Sequence, residues 1–400
     1  MILVIADDLT GAAEIAGAAF QYGLTAEVQM GEARTTDADV LVLDTESRSL
    51  SKENARRAVE DACSSAKRLQ MEWVYKKVDS ILRGHVRTEI EVMQRIMGME
   101  MAVLFPANPS KKRTVVEGQY LVDGVPLHKT ELAEDPDFPR TTSTLDRLSG
   151  AIAPGFGRLS HDSIPVAPGI YTADISSQQD LSQYASVLGR DVLSVGALDY
   201  FRALLEIRVS PSARADPVAL NMPSPSPTLF VCGSVAGWRA GREEDAARHN
   251  VPAHVFPSEL LDATPSMTSV VLMVNRCIES LNQDGCALLA IGRSALIPDV
   301  APKRLCEHLA LSASIVVSGG FRGRLCIEGG GTAAAFMEQF DLTRFQVSHI
   351  WDDGVVSLIP NGLKGIEVVV KVGSYTWPEE IWVSVCTPAT KFGSANAGLG

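Results

Sequence analysis

Seven cysteines are scattered singly along the 400 residues, and no Cys-x-x-Cys pair offers a zinc knuckle or a redox disulfide. An odd set of lone cysteines inside apolar stretches reads as reduced core residues of a cytoplasmic protein. Long hydrophobic runs are missing too. None reaches the roughly 18 residues of a membrane span, and the apolar start Met1-Ile-Leu-Val-Ile-Ala6 meets two aspartates too early for a leader. Neither a leader nor an anchor is therefore expected. Positive charge is in deficit: 36 basic against 48 acidic side chains leave −12, which repels nucleic-acid phosphates and anionic membrane surfaces. The expected partners accordingly exclude nucleic acid and membrane. Gly-x-x-x-x-Gly-Lys-Ser/Thr, His-Glu-x-x-His and a Gly-x-Gly-x-x-Gly after a strand are all absent, which removes the P-loop enzymes, the zincins and the common dinucleotide fold. The first acidic pair lacks the second aspartate of the haloacid dehalogenase pattern, and no repeat of fixed period is found.

What is present is an ordinary globular balance, 46% hydrophobic and 21% charged, at a length suited to two or three domains of roughly 150 residues. Short β-branched runs recur at Ile2–Ala6, Val40–Asp44, Trp73–Asp79, Ala102–Phe105, Asp191–Val195, Thr228–Cys232, Ala287–Ile291, Leu325–Glu328 and Ile366–Lys371. Amphipathic segments such as Lys52–Gln70 and Ala333–Phe340 separate them. This alternation predicts α/β architecture with largely parallel sheets. Prolines 211, 217, 223, 225 and 227 crowd into 209–228, so a linker is placed there, between an N-terminal domain over 1–215 and a C-terminal domain over 228–387. The stretch Phe105–Arg140 is too long for an ordinary connection and reads as a functional excursion, and the Gly/Ala/Ser-rich 388–400 as a flexible tail.

In open α/β sheets ligands bind outside the carboxyl ends of the strands, so the residues just past each apolar run carry the chemistry. The first run ends in Asp7-Asp8-Leu9-Thr10-Gly11. Paired carboxylates there can hold Mg²⁺ or take a proton from a hydroxyl, although Asp8 or Thr10 could equally cap a helix starting near Ala12. The next ends Asp44-Thr45-Glu46-Ser47-Arg48, and the third Lys76-Lys77-Val78-Asp79-Ser80-Ile81-Leu82-Arg83-Gly84. Guanidinium and ammonium groups beside hydroxyls suit a small anionic polyhydroxylated ligand. In the second half the strand ends turn glycine-rich: Gly233-Ser234, Gly329-Gly330-Gly331-Thr332 before a helix-forming run, and Val372-Gly373-Ser374. One such loop is as readily a tight turn as a phosphate cradle; three in one domain favour a nucleotide, with Thr332 as the helix cap.

These residues resemble the four-carbon acid sugar kinases, a family that includes 3-oxo-tetronate, D-threonate and D-erythronate kinases. The likeness runs through nearly the whole chain in order: Ile5 to Gly11, Lys77 to Gly84, then Gly118 through Leu127, Thr130 and Asp135-Pro136, then Gly233-Ser234, Gly329 to Thr332 and Lys371-Val-Gly373. The resemblance implies two α/β domains with a cleft between them. It implies sugar-acid binding through Asp8, Arg48, Lys77, Val78, Asp79 and Ser80, and ATP binding through Ser234, Gly329, Gly330, Gly331, Thr332 and Gly373. Asp7 or Asp8 would orient or deprotonate the hydroxyl, Arg83 would assist with the migrating charge, and Mg²⁺ would bridge the phosphates on ligands the sequence does not identify. The chain departs from the family pattern at Ala13-Glu14, Gly331 and Val372.

The reaction so implied is ATP-dependent phosphorylation of the terminal hydroxyl of a four-carbon sugar acid. Two rivals of other classes stand beside it: a non-catalytic sugar-acid sensor of the same fold, and a receiver-like regulator with Asp44 as phosphoacceptor. Homo-oligomerisation is left open.

Overall fold

The computed structural model describes residues 1–135, 138–150, 155–160, 163–210, 223–234, 241–256, 267–292, 302–373 and 375–386. Most of the Pro-rich linker (211–222), Pro136, Ser374 and the 388–400 tail lie outside these residues. The chain divides into two units, Met1–Ala219 and Leu220–Gly400.

In the first unit, Ile2–Ala6 (β1) is buried at every position, hydrophobic on both faces as a central parallel strand must be. Around it lie Ala26–Met30 (β2), Val40–Asp44 (β3), Trp73–Lys77 (β4) and Met101–Phe105 (β5). Arg113–Val116 (β6), Gln119–Val122 (β7) and Val125–Pro126 (β8) form a separate antiparallel sheet within the excursion at 105–140. Phe156–Arg158 (β9), Gly169–Thr172 (β10) and Val192–Gly196 (β11) complete a parallel sheet in the order β2-β3-β1-β4-β11-β5-β10-β9. The chain leaves β1 for β2 on one side and leaves β3 for β4 on the other. The strand order therefore reverses at the carboxyl ends of β1 and β3, the position at which open α/β sheets take their ligands. Leu9–Gln21 (α1) packs there with every residue from Leu9 to Ala19 buried, which its run of Ala and Gly permits by letting the helix lie close to its neighbours.

The second unit repeats the plan with Thr228–Cys232 (β12), Ala253–Val255 (β13), Cys286–Ala290 (β14) and Gly323–Glu328 (β15), all parallel. Arg344–Asp352 (β16) and Val355–Pro360 (β17) pair antiparallel, and β17 pairs antiparallel with Ile366–Lys371 (β18), which lies parallel to β15. The order is β13-β14-β12-β15-β18-β17-β16, so β12, β15 and β18 are adjacent. No disulfide joins any of the seven cysteines. Among the described residues no helix is long and apolar enough to cross a membrane.

The structure corrects several sequence expectations. Strand β2 (Ala-Glu-Val-Gln-Met) has no apolar run, yet it is buried because Glu27 and Gln29 satisfy each other and the 34–36 loop: Gln29 Nε2 donates to Glu27 at 2.8 Å, and Thr36 donates to Glu27 at 2.7 Å. The helix expected at Lys52–Gln70 stops at Ala66, and α1 starts at Leu9, not near Ala12. The helix after the triple glycine spans Gly330–Gln339 with Gly329 at its N-cap, so Thr332 lies inside the first turn and does not cap it.

Candidate active site

Three strand ends in the first unit bring Asp7, Asp8, Arg48, Lys77 and Asp79 together. Asp8 is the N-cap of α1, its Oδ1 accepting the Gly11 N–H at 2.8 Å and its Oδ2 the Thr10 hydroxyl at 2.6 Å. The capping reading and the charged-site reading thus hold for one side chain, because Arg48 Nη1 also reaches Asp8 Oδ2 at 2.6 Å. The fork of Arg48 is occupied by Asp7, with Nε on Oδ2 at 2.9 Å and Nη2 on Oδ1 at 3.0 Å, and Asp79 lies 3.8 Å away. Lys77 Nζ sits 3.2 Å from Glu14 Oε2 and donates to the Val78 carbonyl. Arg48 and Lys77, expected to bind substrate directly, are both ion-paired within the protein.

Burial drives most of the electrostatics. It raises the Asp7 carboxyl above its usual range despite Arg48 and Lys76. For Asp8 burial acts the same way, but Arg48 and Lys77 outweigh it and hold the group below its usual value. Asp79 is pulled well below the carboxylate range against its own burial by Arg83 and Arg48. Arg83 grips Asp79 with Nη2 at 2.8 Å and Nε at 3.0 Å and reaches Asp135 at 3.0 Å, tying the excursion to the end of β4. Ser80 is held by the excursion as well: Arg113 donates to its hydroxyl and Tyr120 to its carbonyl.

Four side chains around this group were not among the site residues expected from sequence. Glu14 pairs with Lys77, Glu46 accepts the Leu9 N–H at 3.1 Å, and Arg113 and Tyr120 arrive from the excursion. Glu46, in the left-handed region at φ 46°, sits beside Asp44, whose buried Oδ2 has no hydrogen-bond partner. Burial, with Asp8 close by, raises the Glu46 carboxyl to about 7. Asp44 is pushed well above its range by burial and by Glu46. Asp44 is only 1% exposed, which closes its carboxyl to a phosphodonor and weighs against the receiver reading. Arg140 is the other unexpected group: its buried Nε and Nη2 have no partner, and burial lowers its pKa although Asp79 and Asp135 oppose this.

In the second unit the glycine loops come directly after the adjacent strands β12, β15 and β18. A Cβ on Gly233 would lie 2.0 Å from Thr332 Oγ1, and one on Gly373 would lie 2.7 Å from Ser234 Oγ. A side chain at either position would force its hydroxyl neighbour to shift. Ser234 Oγ donates to the Gly373 carbonyl at 3.1 Å, the Gly233 N–H to the Glu328 carbonyl at 3.3 Å and the Gly329 N–H to the Lys371 carbonyl at 3.0 Å. Gly329 turns at φ +100° with open space beside it, and no side chain caps the helix that starts at Gly330. The arrangement leaves an uncapped helix start beside a loop without side chains, which suits an anion.

The profile of the family described as "Sugar-binding N-terminal domain" matches residues 2–203, half of the chain and the part that carries the charged strand ends. The chain belongs to the four-carbon acid sugar kinase family. A D-threonate kinase of Bordetella bronchiseptica is 28% identical over 416 residues, covering 93% of this chain and 93% of that protein. A D-threonate kinase of Salmonella typhimurium is 37% identical over 150 residues, covering 37% of this chain and 36% of that protein, so the alignment spans about a third of that relative. A 3-oxo-tetronate kinase of Brucella melitensis is 30% identical over 155 residues, covering 36% of this chain and 35% of that protein. A solved Salmonella typhimurium LT2 structure superposes with a TM-score of 0.74 at 19% identity, covering 96% of this chain and 98% of that one. A Haemophilus influenzae structure does so with a TM-score of 0.67 at 18% identity and the same coverage. These two carry the fold of the family member and nothing of its chemistry.

Proposed function

We propose that this family member is an ATP-dependent kinase that phosphorylates the terminal hydroxyl of a four-carbon sugar acid. The first unit would hold the acid and the second the nucleotide. The observation that carries the reading is the Asp7–Asp8–Arg48 cluster at the reversal of strand order, where two acids and one guanidinium are locked in fixed geometry. Phosphoryl transfer asks the protein chiefly for positioning and charge neutralisation. Asp8, held ionised by Arg48 and Lys77, would accept a hydrogen bond from the attacking hydroxyl and orient it. The substrate carboxylate needs a cation with donors to give. Arg140 has two, whereas the fork of Arg48 is already filled.

The Gly329 to Thr332 loop, with Ser234 and Gly373, would receive the ATP phosphates on backbone N–H groups. Among the described residues no three His, Cys, Asp or Glu side chains are grouped to hold a metal ion. A Mg²⁺ carried in on the triphosphate would ask the protein for at most one or two carboxylates. Bound there, Mg²⁺ would neutralise charge on the transferring phosphoryl group.

The test is Asp8→Asn, which keeps a capping side chain but removes the charge. Turnover should fall roughly a hundredfold or more while ATP binding stays within about twofold of wild type. A variant with full activity would remove Asp8 from the mechanism.

A further inference from the structure

Directly beneath the glycine loops lies a charged group that no nucleotide contact requires. Glu328, the last residue of β15, and Lys371, the last residue of β18, are both completely buried, and Arg242 is 1% exposed at the start of helix Arg242–Arg248. Arg242 Nε donates to Glu328 Oε2 at 2.9 Å, and Lys371 Nζ lies 3.3 Å from the same oxygen. Glu328 Oε1 has no partner. The two cations also share the Tyr375 carbonyl, Lys371 at 2.6 Å and Arg242 at 3.4 Å, and Lys371 holds the Val372 carbonyl at 2.9 Å. Lys371 therefore grips both sides of Gly373.

Such a group is costly to bury. Two cations share one carboxylate, with Asp245 on Arg242 at 2.9 Å balancing the second charge and the Trp377 ring 5.3 Å from Lys371. Hydrophobic residues would hold two strand ends and a helix start together at lower cost, so structural support alone does not explain it. Two of its members come directly before glycine loops: Glu328 precedes Gly329, and Lys371 precedes Val372-Gly373.

We infer that Arg242, Glu328 and Lys371 form a buried clamp that sets the Gly329 and Gly373 loops for the triphosphate, with Lys371 as a positioning residue. The inference rests on the nucleotide reading of the second unit. Three charged or ionisable groups face Lys371: Glu328 from β15, Arg242 from its own helix and Cys232 from β12, whose thiol burial pushes up to about 12, so that it stays protonated. Burial lowers the ammonium to about 8 against the pull of Glu328. Below that pH the clamp keeps its charge and its three donors. As the pH rises through it, the charge and a donor are lost.

The experiment is calorimetric titration of the full chain with Mg-ATP between about pH 7 and about pH 9.5, for wild type and Lys371→Met. Wild type should bind ATP progressively more weakly as the pH rises through about 8. Lys371→Met should bind roughly tenfold more weakly at neutral pH and show a flat profile, with kcat at saturating ATP little changed. A flat wild-type profile would overturn the clamp, as would a variant that matches wild type in affinity and pH response. If Lys371→Met does not fold, the wild-type profile alone decides. Wild type that binds no ATP at any pH would instead remove the nucleotide reading, and the clamp with it; the two failures are distinct.

Discussion

Asp8 shows how a single side chain serves two purposes. It closes the first turn of α1 and anchors Arg48, so its ionised form is stabilised from both directions. That the acidic pair ends a buried strand was legible in the sequence, because a continuous apolar run ending in two aspartates places them at a carboxyl end. The partners were not legible. Arg48 read as a substrate ligand, yet only the tertiary fold brings Asp7 within 3.0 Å of its fork. Glu46 is the residue whose ionisation has a consequence for stability. Its folded pKa near 7 lies above the ordinary 4.5, so the unfolded chain releases this proton first. Its favourable contribution is complete below about pH 4.5 and is lost as the pH rises through about 7. Glu46→Gln should therefore gain thermal stability relative to wild type at about pH 8 and lose that advantage at about pH 4.5. Thermal unfolding of both proteins at the two pH values checks this, and an equal difference at both would contradict the assignment.

At the level of elements, the alternation of apolar runs with amphipathic segments was sufficient to place the central strands, because those strands are buried on both faces and read as unbroken hydrophobic stretches. Strands of mixed polarity escaped. In β16, Arg-Phe-Gln-Val-Ser-His-Ile-Trp-Asp, buried and exposed positions alternate over much of the strand, and β2 hides two polar residues that offset their burial with each other's hydrogen bonds. The three glycine loops were legible as loops but not as neighbours, since adjacency depends on the crossover that sets β12, β15 and β18 side by side. That adjacency can be tested. Gly233→Ala would drive its Cβ to 2.0 Å from Thr332 Oγ1 and should weaken ATP binding roughly tenfold. Adding Thr332→Ala removes that oxygen and should restore part of the affinity. Titration of ATP into the single and double variants measures the coupling, and strictly additive losses would contradict this packing.

For the whole molecule, composition alone argued against the membrane and nucleic-acid classes, and the motif order pointed to the family that the match over residues 2–203 establishes. Substrate choice was not legible, because epimeric acids differ by the partner of one hydroxyl, and the residues surrounding the site are assembled from β1, β3, β4 and the excursion together. The excursion contributes Arg113, Tyr120, Asp135 and Arg140, none of them tied to the strand ends by sequence proximity. The most direct measurement is ADP release by the purified protein with Mg-ATP across threonate, erythronate and their 3-oxo forms, with five-carbon acids as controls. ADP formation should depend on one of the four-carbon acids and be silent with the five-carbon ones. No ADP with any four-carbon acid, from protein that still binds ATP, would contradict the kinase reading and favour a sugar-acid sensor that has kept the fold without the reaction.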